Sequence, residues 1–302
     1  IHYTNVCSNG CRFCGFSRAA GAADGYVLTA EEVAAQAEEA WGGGATEVHI
    51  VGGINPDLPF DYYLEMVGKI RQRCPGMHVK AFTATEIQNM AEKAGRTITE
   101  VLSQLREAGL GSMPGGGAEV LSEGYFRENC PKKAGPGQWL GIHAAAHRLG
   151  IMTNATMLYG YTESLEERVG HLLKLREAQD QSLQGDKGHF QCFVPLPYIP
   201  PVRSGQERSV DAISDLKTIA ISRLLLDNFS HIKAFWPMLG INLAQVALAF
   251  GADDLDGTVE QYGIVPQQNG RPSLAAGTIR RLIAEAGLRP VQRNPLYQPI
   301  GQ

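Results

Sequence analysis

The sequence predicts an α/β fold: a partial (βα)6 barrel of the TIM type, extended by helices at its C-terminal end. Three observations carry that expectation. Short runs rich in β-branched residues alternate with amphipathic stretches of helical period, which argues for parallel βαβ units. Each cluster of unusual residues falls just past the end of an expected strand, where parallel α/β folds gather their chemistry. Beyond residue 235 the alternation decays, so residues 1–235 are expected to form the barrel and 236–302 an extension packed on it.

The elements follow in order. Residues 2–6 read as a first strand, followed by a cysteine-bearing loop and a helix at 29–41. Residues 46–51 are rich in β-branched side chains and read as a second strand, with 60–73 as its helix. A third strand at 78–83 precedes a helix at 97–108, where Thr97 and Glu100 have the spacing of a capping box. Residues 110–113 form a short strand and 136–149 the next helix. A strand at 152–157 leads to a helix at 164–179, and a sixth strand at 189–194 to a helix at 210–226. After a strand-like run at 231–235, helices are expected at 239–250 and 278–286, the last ending at Gly287. Linker candidates at 184–188 and 266–273 are both short.

Composition narrows the class. Of 302 residues 44% are apolar and 19% charged, as in a soluble protein with a sizeable core. A net charge of −4 gives no electrostatic reason to expect nucleic acid or an anionic membrane as partner. No apolar run approaches the roughly 20 residues that span a bilayer, and no secretory signal is visible. The chain opens at Ile1 without a Met, which leaves room for an upstream segment. Three of the six cysteines crowd into residues 7–14, a pattern that points to a metal site and a reducing cytoplasm rather than to disulfides.

Cys7-x-x-x-Cys11-x-x-Cys14 carries the strongest chemistry. Three thiolates in a tight loop suit three irons of a [4Fe–4S] cubane and leave the fourth iron open. Structural zinc asks for a second pair of ligands, and no Cys or His follows Cys14 until His49. Gly52-Gly53-Ile54-Asn55-Pro56 ends the second strand; two glycines let a ligand approach the backbone, although such a pair alone is more often a turn. Glu86, at the third strand's end, suits a ribose diol or an ammonium, or else a helix start. Residues 113–119 join three glycines to Glu119, as a ligand-facing loop would. Arg127 can grip a carboxylate in bidentate fashion, or simply sit in solvent. His143, His147 and His171 read as packed or solvated, and Cys74, Cys130 and Cys192 as structural thiols.

The cysteine spacing, with aromatic Phe13 before the last ligand, resembles the signature of the radical S-adenosylmethionine (SAM) superfamily. That resemblance implies SAM chelated on the open iron and cleaved by one electron to methionine and a 5′-deoxyadenosyl radical. The Gly52–Gly53 run is similar to the superfamily's Gly-Gly-x-x-Pro element, which binds the amino group of SAM. Runs at 2–7, 80–86, 112–119, 153–160, 222–228 and 250–258 resemble the aminofutalosine synthase family over nearly the whole chain. The implied reaction adds the deoxyadenosyl radical to 3-[(1-carboxyvinyl)oxy]benzoate, giving aminofutalosine with loss of CO₂ on a route to menaquinone. By the same resemblance Phe13, Gly52, Gly53, Glu86, Thr156 and Leu196 border SAM. Asn55, Asn154 and Arg203 face the second substrate, and Glu119, Arg127 and Tyr159 the chemistry. A reductant such as flavodoxin or ferredoxin is the implied partner. The chain departs from the family at Tyr161 and at Pro197–Pro201, where His-containing runs are usual. Sister enzymes remain alternatives: cyclic dehypoxanthinyl futalosine synthase and the tyrosine-using subunit of deazaflavin (FO) synthase. A non-catalytic Fe–S electron-transfer protein is a remote one.

Overall fold

Six parallel strands pair in the order of the chain: β1 (Glu47–Ile50), β2 (His78–Ala81), β3 (Ser112–Met113), β4 (Met152–Tyr159), β5 (Phe190–Pro197) and β6 (His231–Ile232). The computed structural model describes residues 1–201, 208–259 and 273–300. Parallel neighbours need long crossovers, and a sheet that always steps the same way keeps its crossover helices on one face and curls toward a barrel. Here the curl stops short of closure, because β1 and β6 do not pair. This is the partial barrel expected.

The helices are α1 (Ala30–Gly42), α2 (Phe60–Arg73), α3 (Ala84–Ala94), α4 (Ile98–Ala108), α5 (Glu123–Asn129), α6 (Pro136–Arg148), α7 (Leu165–Leu183) and α8 (Ala212–Leu225). Their apolar stripes meet the outer face of the sheet: Val33 and Ala37 of α1, Met66 and Ile70 of α2, Leu102 and Leu105 of α4, and Leu172 and Leu175 of α7 are all buried. Each such aliphatic side chain contributes roughly 1.5–3 kcal/mol by leaving water. Caps fix the starts. Thr29–Glu32, Thr97–Glu100 and Ser164–Glu167 each close a capping box.

Two expectations are corrected, and two helices are added. Residues 2–6 form no regular strand: His2 bridges Val51, Thr4 bridges Val27 and Val6 bridges Arg18, so the partner changes every two residues. The segment still runs beside β1, with the Val51 and Gly53 amides donating to the carbonyls of Ile1 (3.2 Å) and Thr4 (2.9 Å). Two helices were not anticipated, α3 and α5. The single helix expected at 239–250 is broken by Gly240, whose φ of +81° suits glycine and ends a turn. In its place stand α9 (Trp236–Leu239), α10 (Ile241–Ala247) and a 3₁₀ turn, and α11 (Ala276–Glu285) follows.

The C-terminal stretch returns to the open side of the barrel. Tyr297 stacks on His231 at the head of β6 (4.5 Å between ring centroids), and the Arg293 guanidinium lies 3.9 Å from the Tyr297 ring centroid. Arg293 Nε donates to Asp254 Oδ2 (2.5 Å), Lys233 Nζ to Asp256 Oδ1 (2.6 Å) and Lys80 Nζ to Glu47 Oε2 (2.7 Å). This ionic seam lines the two unpaired sides of the sheet, with Lys80–Glu47 on β1–β2 and the other pairs on β6 and the chain that follows it, and the charge of Lys233 also reaches Glu47. Among the described residues no helix is long and apolar enough to cross a membrane.

Candidate active site

The cysteine loop leaves the segment beside β1 and is pinned on three sides. The Cys7 amide donates to Arg18 O and the Ser8 amide to Ile54 O, while the Arg12 amide donates to Asn129 O at the end of α5, each at 2.9 Å. Gly53 sets the tightest contact: a Cβ there would stand 2.2 Å from Val6 O and 3.0 Å from Cys7 Cβ. The close approach that these glycines permit is therefore first of all that of the chain's own opening segment. Gly15 packs under Pro201, so the stretch after β5 also bears on the loop.

Cys7, Cys11 and Cys14 are all half-buried and line one cavity of about 1050 Å³. Its cysteine end is walled by Phe13, Gly52, Gly53, the Gly115–Gly117 loop, Glu119, Asn154, Thr156 and Leu196. These are sequence candidates that the fold brings together. Thr156 Oγ1 donates to Gly115 O (2.7 Å) and so holds the glycine loop against β4. The volume stands at the top of the range for small-molecule sites, room for two ligands rather than one.

Other candidates are placed elsewhere. Glu86 does not line the cavity: its carboxylate accepts from Tyr3 Oη (2.7 Å), Gly52 N (3.1 Å), Thr83 N (2.7 Å) and Thr83 Oγ1 (2.8 Å) and caps α3. Burial pushes it above the ordinary carboxylate range despite those bonds. With both oxygens engaged it positions Gly52 instead of meeting a ribose. Asn55 Oδ1 accepts from the Asp57 amide within its own turn (2.9 Å). Tyr159 is fully buried away from the cavity lining, and its hydroxyl donates to Asp215 Oδ1 (2.7 Å), which Arg208 also grips. Arg127 is exposed on α5 and does not line the cavity. Arg203 lies outside the described residues.

Two residues that the sequence reading missed stand beside the cysteines. Lys133 forms an ion pair with Glu119, a non-glycine residue held at φ +44°, and lies 5.7 Å from the Phe13 ring centroid. Burial alone would lower its ammonium, but Glu119 and Cys11 hold it above the ordinary lysine range. Cys130, read as a structural thiol, hydrogen-bonds Cys11, and this contact more than Lys133 lowers the Cys11 thiol to about 7 against the effect of burial. An aromatic file backs the wall, with Phe13 and Tyr198 on the cavity and the others behind them: Tyr198 meets Tyr161 (4.7 Å), Tyr161 meets Phe13 (6.0 Å) and Phe13 stacks on Tyr125 (6.4 Å). The two departures from the family pattern thus touch each other and the cysteine loop.

The donor set fits a cubane cluster. Among the described residues no three His, Cys, Asp or Glu side chains converge as one metal ion requires. A cubane makes no such demand, because each thiolate takes its own iron.

The family described as the radical SAM superfamily matches residues 1–175, and that described as the CofH/MqnC C-terminal region matches residues 192–301. An aminodeoxyfutalosine synthase of Thermus thermophilus is 41% identical over 99% of this chain and 81% of its own. A 5-amino-6-(D-ribitylamino)uracil–L-tyrosine 4-hydroxyphenyl transferase of Methanopyrus kandleri is 39% identical over 99% and 82%. The cyclic dehypoxanthine futalosine synthase of Halalkalibacterium halodurans is 35% identical over 99% and 80%. Among solved structures, methylornithine synthase shares the fold with a TM-score of 0.72 at 18% identity, covering 97% of this chain and 82% of that one.

Proposed function

This chain belongs to the radical SAM superfamily, whose members use a [4Fe–4S] cluster and SAM, and from that premise we propose that it is an aminofutalosine synthase. In this reading it adds the 5′-deoxyadenosyl group of SAM to 3-[(1-carboxyvinyl)oxy]benzoate and releases CO₂. The observation that carries the proposal is the single cavity that joins the three-cysteine loop to a chamber with room for a second ligand. The 41% identity to the Thermus enzyme over almost the whole chain supports the choice of acceptor.

The cluster supplies the electron that cleaves SAM. The protein's part is to hold and enclose. Cys7, Cys11 and Cys14 ligate three irons; Gly52 and Gly53, fixed by Glu86 and by Val6, offer backbone to the methionine end; Phe13, Thr156 and Leu196 wall the adenosyl end. Asn154 faces the second substrate. Small-molecule chemistry of this kind needs an external reductant, a flavodoxin or ferredoxin in this reading.

The 39% identity to the tyrosine-using transferase supports a second reading, in which L-tyrosine replaces the enol ether. An anaerobic assay of reconstituted protein with dithionite and SAM, given either the enol ether or L-tyrosine together with 5-amino-6-(D-ribitylamino)uracil and read by mass spectrometry, separates them. Aminofutalosine formed from the enol ether, with no product from the other pair, is the expected result. Transfer from L-tyrosine to the uracil alone would move the chain to the sister activity. Free 5′-deoxyadenosine with neither product would remove both readings and keep the radical chemistry.

A further inference from the structure

Both acceptors considered above carry a carboxylate, and a carboxylate taken from water into a cavity is costly unless a cation meets it. Among the described residues the cavity is lined by Lys80, Lys133, Lys233, Arg280 and Arg293. Lys80, Lys233 and Arg293 are committed to Glu47, Asp256 and Asp254 in the ionic seam. Arg280 reaches Gln292 at the surface of α11. Lys133 is the one beside the cysteine loop, and of its three N–H donors the described residues engage one, through Glu119.

The surroundings of Lys133 have the marks of a built subsite. Its Cε lies 3.7 Å from the point a Cβ on Gly117 would occupy, and Thr85 Oγ1 lies 3.0 Å from the same point. The two side chains therefore flank a spot that the glycine leaves vacant. Thr85 is 6% exposed, lines the cavity, and its hydroxyl has no hydrogen-bond partner. Asn154, also 6% exposed and lining the cavity, leaves its amide oxygen without one. An orphaned buried polar atom is costly, and a bound polar ligand removes that cost.

We propose that Lys133 is the carboxylate receptor for the radical-accepting substrate, with Glu119 as its resting partner and the Thr85 hydroxyl as the second donor. Asn154 Oδ1 then takes a donor from the ligand pair. The proposal rests on the reading that a carboxylate-bearing small molecule accepts the radical, and it names the group that selects that molecule.

The test uses the full reconstituted chain and the variants Lys133→Met, Lys133→Arg and Glu119→Gln. KM and kcat are measured for 3-[(1-carboxyvinyl)oxy]benzoate, and inhibition constants against it for its two monoamides, along with SAM affinity and the cluster's EPR spectrum. Lys133→Met is expected to raise KM about 30- to 100-fold, the loss typical of one partner in a buried charged contact. The change in kcat stays within a few-fold, and SAM affinity and the spectrum stay as in the wild type. Wild type should discriminate against one of the monoamides, and Lys133→Met should not. Lys133→Arg restores much of the KM, and Glu119→Gln, which frees the ammonium, lowers it. An unchanged KM in Lys133→Met would overturn the proposal. So would a loss of SAM affinity or an altered spectrum in its place, since those mark a residue serving SAM or the cluster. A KM in Glu119→Gln that rises as far as in Lys133→Met would overturn it too. If wild type proves to use L-tyrosine and 5-amino-6-(D-ribitylamino)uracil, the aminofutalosine reading fails. L-tyrosine against tyramine then makes the same comparison, and Lys133→Met must erase that discrimination or the proposal falls with it.

Discussion

Gly53 shows how little freedom a single position can have. A methyl group there would meet Val6 O at 2.2 Å, well inside contact distance, and the neighbour is backbone that cannot rotate aside. Overpacking of this kind costs about 1–3 kcal/mol, and the strain falls on the turn that carries Cys7. Gly53→Ala is therefore expected to keep its helical circular dichroism while its iron and sulfide content after reconstitution falls below half of wild type; full cluster content would show that the opening segment yields. Tyr161 is a second telling position. It bridges Tyr198 and Phe13, so Tyr161→Ala removes the ring that supports these two wall residues beside the cysteines. The expected outcome is more free 5′-deoxyadenosine per molecule of product, read by chromatography, and an unchanged ratio would relieve Tyr161 of that duty. Sequence reasoning found Cys7, Cys11 and Cys14 because ligand spacing is local. It could not find Lys133, which stands next to Lys132 in a polar stretch with nothing in the chain to mark which of the two turns inward. Arg127 was named for its residue type and by the resemblance, Tyr159 by the resemblance, and the direction of each side chain sends it elsewhere.

Elements fail or succeed by how local their causes are. The capping boxes at Thr97–Glu100 and Thr83–Glu86 have the same spacing; the first was read as one, while for Glu86 the helix start stood only as the alternative to a ligand contact, and the helix start is what the fold holds. The segment at 2–6 has strand composition, but two neighbours and the cysteine turn share its hydrogen bonds, so no continuous ladder forms. The ionic seam was invisible for another reason: in sequence Glu47, Lys80, Lys233, Asp254 and Arg293 resemble ordinary surface charge. Asp254 is pulled below the ordinary carboxylate range by Lys233 and Arg293 in spite of its burial. Removing it leaves two cations with too little counter-charge, a loss of about 3–5 kcal/mol for a buried pair. Asp254→Ala should lower the melting temperature by about 5–10 °C, measured by calorimetry at pH 7. A shift of less than a degree would mean that water already screens the seam.

At the scale of the whole molecule, three buried histidines tie stability to pH. His143, His147 and His171 are held neutral by burial, His147 and His171 lowered to about 3 and His143 well below its ordinary value. In the unfolded chain each protonates near 6.5. Below that pH the unfolded state binds protons that the folded state refuses, so stability drops as pH falls and is fully present above about 6.5. Each histidine contributes up to about 1.4 kcal/mol per pH unit. The urea midpoint is expected to be level from pH 8 to 7 and to fall steeply from 6.5 to 5, before most carboxylates titrate; a flat profile would mean that these rings find protonated partners. The barrel itself was legible because parallel strands are covered on both faces and read as apolar runs. That it stays partial was expected as well; the packing of Arg293 and Tyr297 on its open side was not, since that closure depends on residues far apart in the chain.

That closure has a consequence in time. The parts of the cysteine end, from Cys7 through Lys133 to Leu196, are synthesised well before Arg293 and Tyr297, about 100 residues further on. At 5–20 residues per second the interval lasts roughly 5–20 s. During it the wall around the thiols can form while Lys80 and Lys233 still face an unsealed opening. The nascent chain thus has a period in which the cysteine end can be assembled while Arg293 and Tyr297 have yet to reach Asp254 and His231 on the cavity's far side.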